Sequence, residues 1–251
     1  MKISITKVSR RLFILLFWIF VWELGSLFIN NDILLPSPVE VVQLLAQLVL
    51  KSYFWLSVLS SVGRVIFGLF LSIGIGIVLG IIAGLNKYVE ELLDPLLVTI
   101  KSTPIMSIII LALVWFKSSN VAIFTAILVC FPIIYTNVLQ GIKAVDIQLL
   151  EMANIYKVKK LYIIRDIYIP SINHYIISGV LMCLGLGWKV SVTSEVLATP
   201  KYSIGLNLLN SKATLETAEL FAWTVVVVLL SFAFELAFKY YVKKTDKLSV
   251  S

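Results

Sequence analysis

Charge is scarce in this sequence. Only 14% of its 251 residues are Asp, Glu, Lys or Arg, against 60% hydrophobic, and the mean hydropathy is +1.00. A soluble domain of this length cannot hide that much apolar surface, so the composition points to an all-α, polytopic membrane protein. Histidine is nearly absent. His174 is the only one, beside a predicted membrane boundary, and it lacks the partners a metal site needs. The two cysteines, Cys130 and Cys183, fall inside apolar segments and are expected as free thiols rather than a disulfide framework. No G-x-x-x-x-G-K-[ST] loop occurs, so the chain is not expected to bind ATP by a P-loop. There is no H-E-x-x-H, no Cys/His cluster and no nucleophile elbow, so neither metal nor cofactor is expected. These absences favour a conduit over a catalyst.

What is present is a series of apolar segments. Leu12 to Ile29 is the first, preceded by Lys2, Lys7, Arg10 and Arg11. It is read as a retained helix rather than a cleaved signal, because no small-residue cleavage site follows. Pro36 and Pro38 then break the chain, and Ser37 can start a short amphipathic helix over Val39 to Leu50, too polar to span and suited to the outer interface. Further spans are predicted at Val58 to Leu85, at Leu96 to Phe116 with a kink at Pro104, and at Val121 to Gln140 broken by Pro132. The last two are Ser171 to Leu197 and Leu220 to Tyr241, joined by a mixed-polarity external loop, Ala198 to Glu219. Six spans put both termini on one side. Fourteen of the 21 basic residues then fall in inner segments and four in outer ones. That bias makes the inner side cytoplasmic and gives the +7 net charge a topological origin rather than a nucleic-acid partner. The whole chain, 1–251, reads as one transmembrane domain in the cell (cytoplasmic) membrane.

The one long polar interruption is Glu151 to Pro170, EMANIYKVKKLYIIRDIYIP, within a cytoplasmic loop of about 141–171. Here the chain resembles permease subunits of ATP-binding-cassette importers, whose loop reads E-A-A, three residues, G, nine residues, I-x-L-P. Glu151, Met152 and Ala153 stand for E-A-A, and Ile167, Ile169 and Pro170 for I-x-L-P. Lys157 stands where the family has glycine, a departure that implies a different turn. The resemblance is to the nitrate, sulfonate and taurine importer group, and it extends along the chain. It includes LPSP at Leu35 to Pro38; Ser61, Arg64 and Gly68; Asp94-Pro95; Thr103-Pro104; and Trp115-Phe116. It continues through Phe131-Pro132, Asn137, Gly141, Gly187-Trp188, Glu195 and Ile204-Gly205.

The resemblance implies a type I importer fold. It further implies two ATPase subunits, a second permease subunit expected as a homodimer, and an extracytoplasmic substrate-binding protein. The loop would be a short coupling helix docked on the ATPase, which would do the hydrolysis. In that picture Glu151 sits near a helix N-terminus, where the macrodipole favours a carboxylate. Small Ala153 allows close approach to the partner, and Pro170 closes the loop before the fifth span. A secondary transporter would need coupling carboxylates and an internal repeat, neither of which is clear. A membrane scaffold would leave the loop spacing without a reason.

Two constellations lie within spans. Gly68, Ser72, Gly76, Gly80 and Gly84 recur every fourth residue, a small-residue ridge that lets a neighbouring helix approach closely. In the fifth span, Ser178, Met182, Gly185, Lys189 and Thr193 share one helix face. With Trp188 and Glu195 they form the candidate translocation pathway. Intramembrane charges need partners or a cavity. Glu23 and Arg64 could pair, Glu235 reads as structural, and Lys101 is close enough to the inner interface to snorkel. Lys189 either borders the path and attracts an anionic solute or pairs with a carboxylate of another helix.

Overall fold

The computed structural model describes residues 5–248, all helix and connection with no strand among them. The elements are α1 (Ile5–Ile29), α2 (Pro38–Val49), α3 (Ser52–Leu85), α4 (Lys87–Ser102), α5 (Ile105–Trp115) and α6 (Ser118–Lys143). They continue with α7 (Ile147–Ile155), α8 (Lys160–Ile163), a π-helical turn (Ile164–Tyr168), α9 (Ile169–Ala198), α10 (Ile204–Ala213) and α11 (Thr217–Leu248). Five of these helical runs are long and apolar enough to cross a bilayer singly. This is a polytopic all-α membrane fold of five such helices, or six if the bent pair α4 and α5 makes one crossing.

That pair is where the expected third span fails. α4 and α5 meet at a bend of 102°, not at a kink within one helix. The cause is local. A residue before proline is pushed out of the α region, and Thr103 is extended at φ −77, ψ 128. Pro104 then caps α5. With 11 residues, α5 is only about 16 Å long, so it cannot cross alone. α4 carries Lys87, Glu90, Glu91, Asp94 and Lys101, and its charges find partners along its length. Lys87 meets Glu91 at 3.6 Å, Glu90 meets Lys143 of α6, and Lys101 donates to Thr136 Oγ1 at 2.9 Å.

Pro132 does the opposite of what proline usually does. α6 runs unbroken through it from Ser118 to Lys143, although the proline has no N–H to give its i−4 carbonyl. α6 is the central helix, held between α3 on one side and α9 on the other. Packing on both flanks sustains it, as membrane helices allow. Cys130, Ile134, Val138 and Ile142 of α6 join Val65, Leu69, Val180, Cys183, Trp188 and Trp223 in the main core. The two cysteines are free and buried.

The ridge on α3 faces α6. A Cβ placed on Gly68 would lie 2.9 Å from Ala126, on Gly76 2.7 Å from Ile134, on Gly80 2.8 Å from Val138, and on Gly84 2.7 Å from Ile142. These helices touch backbone to side chain, with no room for a methyl group. Ser72, within the same ridge, is fully buried and donates to Gly68 O at 2.7 Å. By contrast, Gly63 and Gly74 have nothing within 4 Å, which fixes the packed face as the four-residue series and no other.

The end of the bundle that carries Ser37 and Ser203 is more ordered than a mixed loop. Ser37 caps α2 by accepting from Glu40 N at 3.2 Å, and Val41 and Leu48 bury against α11. The segment expected as a loop between the last two spans contains α10, capped by Ser203 and packed on α9 and α11. Ile204 and Gly205 are buried there, so its mixed polarity is that of a folded-back helix. α1 is the least enclosed helix. Its link to the body is toward its C-terminal end, where Trp22 Nε1 donates to Pro36 O at 3.1 Å and its ring lies against Phe221.

Candidate functional site

Three regions carry the polar residues that a conduit would use, and the first is a buried ion pair. Glu195 near the end of α9 is fully buried. Its Oε1 accepts from Arg64 Nη1 of α3 at 2.7 Å, and its Oε2 accepts from Ser61 Oγ at 2.7 Å and from Gly205 N at 3.2 Å. Arg64 Nη2 also donates to Tyr202 O at 3.0 Å, and Ser61 Oγ accepts from Ile204 N at 2.9 Å. Every lone pair of interest is used, as a buried charge requires. The network ties α3, α9 and α10 together. Arg64 therefore pairs with Glu195, not with Glu23. Glu195 is separated from the candidate pathway face and serves this clamp.

The turn between α9 and α10 is forced by the same clamp. Thr199 and Tyr202 both have positive φ, 46 and 74, a left-handed conformation that side chains disfavour. Gly205 is needed because a Cβ there would meet Val196 N at 2.5 Å and the carbonyl carbon of Glu195 at 2.6 Å. Sequence reading had these residues in three separate motifs. The signal that joins them is depth, since a lone arginine and a lone carboxylate near the outer ends of two spans must each find a partner.

The second region is the remaining face of α9. Ser178, Met182, Lys189 and Thr193 are exposed and Gly185 is half-buried with nothing within 4 Å of it. Trp188, three residues on from Gly185, is fully buried, with its ring 5.5 Å from that of Phe234. The candidate pathway set thus divides, with Gly185, Lys189 and Thr193 outward and Trp188 and Glu195 inward. Lys189 lines a cleft of about 270 Å³ with Ser231 and Glu235 of α11. It makes no ion pair among the described residues, because Glu235 is paired with Lys239.

The third region is the loop that holds Glu151 to Pro170. Asp146, not Glu151, caps α7, accepting from Gln148 N at 2.9 Å. Glu151 sits in mid-helix, exposed, beside exposed Met152. Ala153 is turned inward and buried, so its small size serves the loop's own packing rather than a partner's approach. The helix ends in a Schellman motif, with Lys157 N bonded to Asn154 O at 3.0 Å and Val158 N to Ala153 O at 2.9 Å. Lys157 has φ 53. The lysine adopts the left-handed conformation that glycine favours.

Pro170 does not close the loop. It is the second residue of α9, and the helical run continues from Lys160 to Ala198. The π turn at Ile164–Tyr168 absorbs the N–H that proline lacks. Ile167 is half-buried, whereas Ile169 and Pro170 are exposed. Leu149, Met152, Ala153, Val158, Tyr162 and Ile167 enclose a mostly apolar hollow of about 360 Å³ in this loop.

Five helices long and apolar enough to cross a bilayer, packed through a small-residue ridge and a buried ion pair, make this an integral membrane protein. The chain matches the family described as the binding-protein-dependent transport system inner membrane component over residues 76–247, and it belongs to that family, the permease subunits of ATP-binding-cassette importers. A Bacillus subtilis protein named as an aliphatic sulfonates transport permease is 27% identical over 209 residues, covering 82% of this chain and 75% of that protein. The taurine transport system permease protein of Escherichia coli is 23% identical, covering 87% and 81%. The nitrate import permease protein of Synechococcus elongatus is 27% identical, covering 70% and 67%. Membership implies an ATPase and a substrate-binding protein as partners, and it removes the reasons for reading a secondary transporter or a scaffold.

Proposed function

We propose that this permease works as one of two copies and that Glu151 to Pro170 docks on an ATPase subunit. The ATPase would hydrolyse the ATP. The outward face of α9, with Lys189, would border the path of a small anionic solute handed over by an extracytoplasmic binding protein. Both termini would be cytoplasmic, in keeping with the distribution of lysine and arginine.

The observation that carries the coupling role is the shape of the loop. α7 is capped at both ends and pinned from beneath by Ala153. It presents Met152, Ile155 and Tyr156 at 51%, 77% and 75% exposure. A rigid helix with that much bare apolar surface in a water-facing loop is suited to a partner. For the solute, the proteins named above are named for sulfonates, taurine and nitrate, each bearing a cluster of oxygens with negative charge. An unpaired lysine beside a cleft complements that chemistry.

The coupling role is tested by co-purifying the ATPase with Met152→Lys and Ile155→Lys variants. Both side chains are exposed, so folding should be unchanged, and ATPase recovery should fall at least tenfold. Wild-type recovery and coupled transport in both variants would count against docking at this loop.

A further inference from the structure

A groove between three helices faces outward near the end of the bundle that carries the loop. Ile73 of α3, Ile176, Ile177 and Val180 of α9, and Phe238 and Val242 of α11 line about 300 Å³. Its walls are almost wholly apolar, and its polar margin comes from Asn173 and Tyr241. Position along the helices gives the groove a direction. α9 leaves the loop end at Ile169 and α11 arrives there after Tyr241. Residues three apart on a helix are neighbours on one face. His174 is therefore one turn toward the loop from Ile177, and Lys244 one turn toward it from Tyr241. Lys243 and Lys244 are both exposed, and neither has a salt bridge among the described residues, whereas Lys239 is held by Glu235.

We propose that this groove binds an anionic phospholipid of the inner leaflet, its acyl chain against Ile177 and Phe238 and its phosphate beside Lys244, which lies one turn beyond Tyr241 at the rim. Lys243 falls on the opposite face of α11, about 140° from Phe238. An apolar slot between membrane helices with an unpaired lysine at its cytoplasmic rim is the arrangement that acidic headgroups favour. A soluble peptide would not reach Ile73 and Val180 within the apolar band, and a zwitterionic lipid would leave Lys244 without a counter-charge. The leaflet follows from the orientation proposed above. The groove and its charged rim do not depend on it.

The test uses the purified full chain in detergent, titrated with phosphatidylglycerol or phosphatidylcholine of matched acyl chains and read by native mass spectrometry. Phosphatidylglycerol should be retained preferentially. Lys244→Gln should lower that preference about fivefold, and Lys243→Gln, on the far face of α11, should change it much less. Ile177→Trp should fill the groove and abolish retention of both lipids, with the melting temperature reporting that the fold is intact. Equal retention of the two lipids, or retention untouched by Ile177→Trp, would overturn the proposal. So would efficient disulfide cross-linking of Val242→Cys between two copies in membranes, which would make the occupant a second permease. Impermeant labelling of Lys244→Cys in intact cells tests the orientation separately, so a failure of the leaflet assignment is distinguishable from a failure of the site.

Discussion

Arg64 and Glu195 stand 131 positions apart in sequence and join through a 2.7 Å ion pair. Their burial is unequal, with 13% of the arginine side chain exposed and none of the carboxylate. The pair closes the end of the bundle where α10 folds back on α9. Removing one partner of a buried pair costs about 3–5 kcal/mol, because the other charge is left without compensation. Arg64→Met and Glu195→Leu should each lower thermal stability in detergent sharply. The double variant should recover a large part of that loss, since two apolar residues no longer bury a lone charge. A double variant as unstable as the sum of the singles would show that the clamp does not act as a unit.

The α3 ridge makes a sharp contrast between glycines. Gly76→Leu and Gly80→Leu should each destabilise by about 1–3 kcal/mol or more, through forced displacement of Ile134 and Val138. Gly74→Ala, with nothing within 4 Å, should be neutral or stabilising by about 1 kcal/mol from helix propensity. Size-exclusion recovery and melting temperature of the three variants measure this. Equal tolerance at Gly74 and Gly76 would refute the close approach of α3 and α6.

Lys157 carries a backbone cost that glycine would remove. Lys157→Gly should stabilise the loop by about 1 kcal/mol and leave ATPase coupling intact, because the αL turn stays the same. Lys157→Ile should destabilise it, since a β-branched residue resists positive φ. Hydrogen exchange of the amides at 157 and 158 reads the turn directly. Faster exchange in the glycine variant would mean that the turn is not held as described.

Lys189→Met separates passage from assembly. On the pathway reading, assembled complex should be unchanged and transport of an anionic solute should fall, while a structural lysine would show its loss in yield and melting temperature. Unchanged assembly together with unchanged transport would remove Lys189 from both roles.

Topology is open to a direct measurement. A cysteine in place of Ser251, which lies outside the described residues, should resist an impermeant reagent in intact cells and react after lysis. Labelling from outside would reverse the orientation.

How much of this was legible in the sequence follows the kind of force involved. Long apolar runs and the four-residue glycine period are properties of single helices, and both appear in the fold much as the sequence implies. The proline readings fared worse, because proline acts through its surroundings. Pro104 turned a kink into a 102° bend, Pro132 was overridden by packing on two sides, and Pro170 was accommodated by a π turn. At Lys157 the sequence shows only a residue type, whereas the positive φ that glycine favours is a backbone conformation that a lysine can also take at a cost. The Arg64–Glu195 clamp needs three segments to meet, and spacing along one chain does not encode that meeting.

The helical run from Lys160 to Ala198 is 39 residues long, about 58 Å at 1.5 Å per residue. One end leaves the loop that holds Glu151 and the other carries Glu195 in the clamp. The run packs against α6 along most of its length, from Ile172 beside Gly141 to Ser194 bonded to Thr125. A tilt of the two helices together by about 10° about the midpoint would swing each tip by about 5 Å in opposite directions, from the same rise per residue. A displacement of the loop end would then reach the far end without any chain of intermediary contacts. The π turn at Ile164–Tyr168 is the joint that would decide how much of that stroke is lost.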